Sequence, residues 1–207
     1  RSLILAVQAA LLLSALIGIV LYLVLGDPAA FWQQVLREPM LALTANEELS
    51  LNAAELELLL ADVSQWITSI IIAGYFLQLL VALFIGRWWQ AMIYNPGGFG
   101  EEFRQLSFHR ALSVISIPFI LLVGFSEPAE WVSALMLLLI TAFAIQGLAV
   151  LHAILKNAKN AAFWLGGIYV LLFIAMPYMS TVLSMTGYAD SWIGLRRKVN
   201  ADSETKD

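Results

Sequence analysis

Four polar side chains interrupt otherwise apolar stretches of this 207-residue chain: Gln8, Gln78, Gln146 and His152. Hydrocarbon offers a polar group no partner, so such residues bond to protein or to a ligand and mark candidate binding positions. Gln146 falls near the middle of the stretch 132–155, where it suits a contact to a bound solute; an interhelical hydrogen bond is its plainer role. His152 lies near the end of that stretch, at headgroup level, and Gln78 lies in another stretch, 67–86. We take Gln146, His152 and Gln78 as candidate ligand-binding residues. Arg87, Arg104, His109 and Arg110 form a second group, bases in a polar loop that suit anionic lipid headgroups or a partner subunit.

Other chemistries lack their residues. Cysteine is absent, which excludes thiolate catalysis and cysteine-ligated zinc. His109 and His152 have no carboxylate cluster near them in sequence, so no metal site is expected. Gly97-Gly98-Phe99-Gly100 is glycine-rich but lacks the lysine and Ser/Thr of a phosphate loop, and reads as a turn. No Ser-His-Asp order is present. No carboxylate or lysine stands inside an apolar stretch, where ion-coupled carriers usually need one. The expectation is a protein that is not an enzyme and carries no cofactor.

The elements that would position these residues are membrane helices. Stretches 3–26, 67–86, 111–125, 132–155 and 162–186 carry no charge, with Arg110 at the edge of the third. About 20 apolar residues in a helix cross a bilayer's hydrocarbon core. The chain is 61% hydrophobic and 13% charged, against about half and a quarter in soluble domains. Its mean hydropathy is +0.83. The sequence predicts an all-α, polytopic bundle of five to six spans with interfacial amphipathic helices, over residues 1–192. A polar tail, 193–207, follows.

Between the spans, Asp27-Pro28 opens a short interfacial helix that Pro39 should break. Asn52 and Glu55 form a capping-box pattern. The helix they open should bury Leu56, Leu59, Leu60 and Val63 and run on into the second span. Glu101 to Phe108 reads as a surface helix, and Ser126-Glu127-Pro128 as a tight turn. Gly74, Gln78, Ala82 and Gly86 recur every four residues, and Ala6 and Ala10, Ser14 and Gly18, and Ala149 and Ala153 are similar pairs. We expect all of them to pack within the chain.

Lys and Arg bias in short loops sets orientation. Segment 27–66 has seven acidic residues and one base, Arg37, and loop 126–131 has Glu127 and Glu130. Both should face outside. Loop 87–110 has three arginines and loop 156–160 has Lys156 and Lys159, so both should be cytoplasmic. Five spans from a cytoplasmic start would put Arg196, Arg197 and Lys198 outside, against the rule. Either the rule fails there or 162–192 folds back at Pro177. The three adjacent bases favour a cytoplasmic tail.

Trp88-Trp89-Gln90-Ala91-Met92-Ile93-Tyr94-Asn95-Pro96-Gly97-Gly98-Phe99 with Glu102-Phe103-Arg104-Gln105-Leu106 resembles the cytoplasmic loop of the YybS-like bacterial membrane proteins. Gln146-Gly147-Leu148-Ala149-Val150-Leu151-His152 and Gly187-Tyr188-Ala189-Asp190-Ser191-Trp192 resemble that family too. The family is distantly similar to the S-components of energy-coupling-factor vitamin transporters. The resemblance implies a multi-pass protein of the bacterial inner membrane that binds a small solute, with an ATPase module on other chains. It also implies small residues on an early helix facing a coupling subunit, a spacing that Ala6 and Ala10 have. A non-enzymatic accessory or scaffold subunit is the alternative. Expected partners are the bilayer, a small-molecule solute or other membrane subunits, and no nucleic acid.

Overall fold

In apolar surroundings backbone groups are satisfied most simply within a helix. A computed structural model describes residues 2–45, 52–125 and 129–196, and every regular element among them is helical. α1 is Ser2–Leu25, α2 Pro28–Ala45, α3 Ala53–Tyr94 and α4 Gly98–Arg104. α5 is Arg110–Phe125, α6 Glu130–Ile154, α7 Ala161–Ile174 and α8 Met176–Ile193, with a 3-10 turn, Leu155–Asn157, prolonging α6. The expected turn at 126–128, and Arg197 and Lys198, lie outside the described residues.

Among the described residues three helices are long and apolar enough to cross a bilayer: α1, α3 and α6 with its 3-10 extension. α5 and α7, of 16 and 14 residues, rise only about 24 and 21 Å. So three helices of spanning length stand where hydropathy predicts five spans. Their surfaces suit a lipid solvent. Leu12, Leu23, Phe173 and Ile174 are 71, 79, 90 and 75% exposed, and such side chains recur along the helices. A soluble monomer rarely leaves that much contiguous apolar surface uncovered. Trp66, Trp88, Trp89, Trp131 and Trp164 are exposed, as interfacial anchors must be.

α3 opens on the capping box: Asn52 Oδ1 accepts from the Glu55 amide at 2.9 Å, and the Glu55 carboxylate accepts from the Asn52 amide at 2.8 Å. Its 42 residues reach about 63 Å, twice a hydrocarbon core, so part of it stands outside the apolar slab. Leu56, Leu60, Ser64, Thr68, Ile72, Phe76 and Leu80 form one buried row of four-residue steps. The expected stripe is thereby narrowed: Leu59 and Val63 are exposed, because the neighbours of α3 cover one i+4 ridge and not the rows beside it.

α2 docks on that ridge. Trp32 Nε1 donates to Thr68 Oγ1 at 2.9 Å, and Arg37 pairs with Glu57. Asp27 caps α2 by accepting the Ala30 amide at 2.9 Å. Pro39 does not break the helix as expected. It is exposed, so the carbonyl it leaves unbonded can be solvated. α4 starts at Gly98, three residues before the predicted Glu101, and ends at Arg104 rather than Phe108. Gly97, at φ 86°, turns the chain directly into it.

The core joins α1, α3 and α6 through Leu3, Val7, Phe76, Leu80, Leu138 and Ala142. The small-residue rows divide between inside and outside. Ala10, Ser14 and Gly18 face inward, Gly18 against Ile72. Ala10 is therefore core and not a free coupling surface. Gly74, Gln78, Ala82 and Gly86 face outward, contrary to expectation. Nothing lies within 4 Å of a Cβ built on Gly74 or Gly86, since the chain's other helices cover the ridge of Ile72 and Phe76 instead.

The predicted fifth span is two helices. α7 ends at Ile174, Ala175 leaves the helical region at φ −122° and ψ 44°, and Pro177 stands in the first turn of α8. Pro177 disfavours helical geometry in the residue before it and has no N–H to continue the ladder. α8 lies against α6, with Gly187 facing Gly147. From that crossing both helices lead to one polar cleft, α6 to Lys156 and α8 to Arg196, so they run parallel. α7 carries the chain back between them. Within the structure, 162–192 therefore doubles back on itself at Ala175 and Pro177.

Candidate functional site

The Gly147–Gly187 crossing fixes everything around the site. A Cβ on Gly147 would lie 1.9 Å from the Leu183 carbonyl oxygen, and one on Gly187 would lie 2.1 Å from that of Phe143. Only glycine at both positions lets the two backbones touch. That approach brings Gln146, fully buried on α6, against the last turns of α8.

Gln146 is hydrogen-bonded on both ends of its amide. Its Oε1 accepts the Phe108 amide at 2.8 Å. Its Nε2 donates to the Gly187 carbonyl at 2.9 Å and Ser191 Oγ at 3.0 Å, with Asp190 Oδ2 at 3.4 Å. One side chain thus bolts α6 to α8 and to the loop between α4 and α5. Asp190 is buried too, although the sequence suggests no buried carboxylate. Gly194, at φ 60°, ends α8 in the left-handed conformation and turns the chain back. Arg196 then pairs with Asp190 at 2.6 Å and donates to the Arg104 and Leu106 carbonyls at 2.7 and 3.1 Å. A buried carboxylate is tolerated because its countercharge and hydrogen bonds arrive together.

α5 is tied in at the same place. Tyr188 Oη donates to the Ser113 carbonyl at 3.2 Å, and the Arg110 guanidinium sits 4.6 Å from the Trp192 ring centre. His109 Nδ1 accepts the Ala111 amide at 3.2 Å, capping α5.

Above this base opens a cleft of about 980 Å³. Its walls come from the start of α1 (Ile4, Gln8), the α4–α5 loop, the end of α6 (Ala153, Lys156, Asn157) and the end of α8 (Ser191). Gln146 lies beneath the cleft and does not line it; Phe108, Asp190 and Ser191, which it holds, do.

The other predicted residues divide. Arg104, His109 and Arg110 line the cleft. Arg87 does not: it forms an ion pair with Glu102 and hydrogen-bonds Gln90, joining α3 to α4. His152 bonds the Leu148 carbonyl at 2.8 Å and Tyr169 Oη at 3.3 Å, and meets Phe103 edge-on at 5.3 Å between ring centres. It ties α7 to α6 beside the cleft. Gln78 lies on the outward face of α3, away from the cleft. Asp190, Ser191, Arg196 and Lys156 are the site residues that sequence reasoning did not single out as a site. A signal existed: Gly194 as a helix stop between Asp190 and Arg196 makes their pairing geometrically natural. No family model matches the chain, and no curated protein or solved structure matches it.

Proposed function

We propose that this chain is a solute-binding component of a membrane transport assembly. In this reading it sits in a bacterial inner membrane with five to six membrane-penetrating segments, and its cleft opens on the cytoplasmic side. The observation that carries the reading is the cleft of about 980 Å³, at the upper end of the size of small-molecule sites. Its hydrogen-bonding wall is held rigid by Gln146 and by the Asp190–Arg196 pair. The concentration of bases at that end agrees with a cytoplasmic face. The resemblance to YybS-like proteins, and through them to S-components, supports the reading, with the energy-coupling module on other chains.

Native mass spectrometry of the protein, extracted gently from its own membrane, tests this. The expected result is a co-purified small molecule that is lost in Gln146→Leu. A spectrum with stoichiometric protein partners and no small molecule would favour the second reading, an accessory or scaffold subunit. That reading has its own observations: the outward-facing Gly74, Gln78, Ala82 and Gly86 row, and α7, which buries no residue.

A further inference from the structure

We infer that the cleft grips its ligand by a phosphate-class anion, through Arg104, Arg110 and Lys156; this rests on the reading of the cleft as a ligand site. The ion-pairing pattern points there. Five arginines are described, and Arg37, Arg87 and Arg196 each pair with a carboxylate. The two without a carboxylate partner among the described residues, Arg104 and Arg110, line the same cleft. Lys156 joins them there, also without an ion pair among the described residues. Arg104 is half-buried rather than splayed into solvent, and its guanidinium donates to no group among the described residues.

The charges set the ligand's valence. Asp190 and Arg196 neutralise each other, and the remaining hydrogen bonds of Arg196 go to backbone carbonyls. Glu101 is the other acid in the lining, and it offsets one of Arg104, Arg110 and Lys156. Two positive charges remain. A phosphate carries about −1.5 to −2 at neutral pH, which matches them; a single carboxylate would leave one charge over. Guanidinium forks bind phosphate oxygens in pairs, and a lysine adds a point charge. His109 suits the same partner. Its Nδ1 is occupied as an acceptor, so its Nε2 bears the proton and donates. The cleft far exceeds one phosphate, so it has room for a phosphate ester whose remainder would meet Asn157, Ser191 and Gln8. Two sources fit this chemistry: a soluble phosphate ester, or the headgroup of an anionic lipid.

The test uses the full chain in nanodiscs. In phosphatidylcholine discs, inorganic phosphate is titrated at constant ionic strength by calorimetry. In discs containing phosphatidic acid, native mass spectrometry counts the anionic lipids retained. The variants are Arg104→Gln with Lys156→Gln, the charge-preserving Arg104→Lys with Lys156→Arg, and Arg37→Gln as a control remote from the cleft. Saturable phosphate binding, weakened at least tenfold by the glutamine pair and under threefold by the other two, establishes a soluble-ester site. No phosphate binding, but retained phosphatidic acid lost in the glutamine pair alone, establishes a headgroup site. Binding of neither anion, or binding unchanged in the glutamine pair, overturns the inference. If the glutamine pair fails to fold, a charge-preserving variant that folds and binds neither anion also overturns it. A neutral or cationic co-purified solute would remove the anion and leave the solute-binding reading standing. A cleft that retains no ligand of any kind would remove both.

Discussion

Gly147→Ala is the most demanding test of the α6–α8 crossing. The added Cβ would lie 1.9 Å from the Leu183 carbonyl oxygen, and ordinary contact begins near 3.4 Å. Both atoms adjoin backbone, so no side chain can swing aside and α8 must retreat by roughly 1.5 Å. A shift of that size carries the Gln146–Gly187 bond from 2.9 Å beyond hydrogen-bonding reach. Overpacking of this kind costs about 1–3 kcal/mol, and the lost bond adds about 1 kcal/mol. The expected loss is therefore about 2–4 kcal/mol, read by circular dichroism as the mixed-micelle unfolding midpoint in sodium dodecyl sulfate and dodecyl maltoside. Gly74→Ala is the matched control. It meets open space, and alanine is the better helix former by about 1 kcal/mol, so it should be neutral or stabilising. A Gly147→Ala protein as stable as its parent, within about 0.5 kcal/mol, would refute the close crossing.

Gln146→Leu strands the Phe108 amide in a buried site, at a cost of about 1–3 kcal/mol. Hydrogen exchange at Phe108 should speed up selectively, and an amide that stays protected would contradict the bond. Asp190→Ala leaves Arg196 without its buried countercharge and should cost about 3–5 kcal/mol, whereas Arg87→Ala breaks a more exposed pair and should cost about 1 kcal/mol or less. Equal losses in the same unfolding assay would overturn that contrast. Because the chain has no cysteine, single Gln105→Cys, Asn157→Cys and Ser191→Cys variants give clean labelling with a membrane-impermeant thiol reagent. All three should label from one side of the membrane only, and labelling of Ser191→Cys from the opposite side would rule out the fold-back.

Local rules made part of this fold legible. The Asn52–Glu55 box and the Asp27 cap each depend on neighbours within a few residues, and both form; the turn expected at Gly97–Gly100 shrinks to Asn95–Gly97, because Gly98 to Gly100 already belong to α4. Hydropathy marks the apolar stretches but not their length as helices, so 162–186 reads as one span although Pro177 divides it. Burial inside a membrane protein is harder to read, because lipid-facing and core-facing positions are both apolar. Leu59 and Leu60 look alike in sequence and differ only in which ridge a neighbour covers. The site shows the same limit. Arg104, His109 and Arg110 stand out as bases in a loop. Their meeting with Lys156 and Ser191 depends on α8 running parallel to α6, which rests on a glycine pair 40 residues apart.

An experimental structure of the full-length protein, taken into nanodiscs directly from its native membrane, tests the central claim most directly. The account predicts non-protein density in the cleft reaching Arg104 and Lys156, with Gln146 still bonded to Phe108 and Gly187 beneath it. An empty cleft, or one filled by the chain's own C-terminal residues, would contradict it.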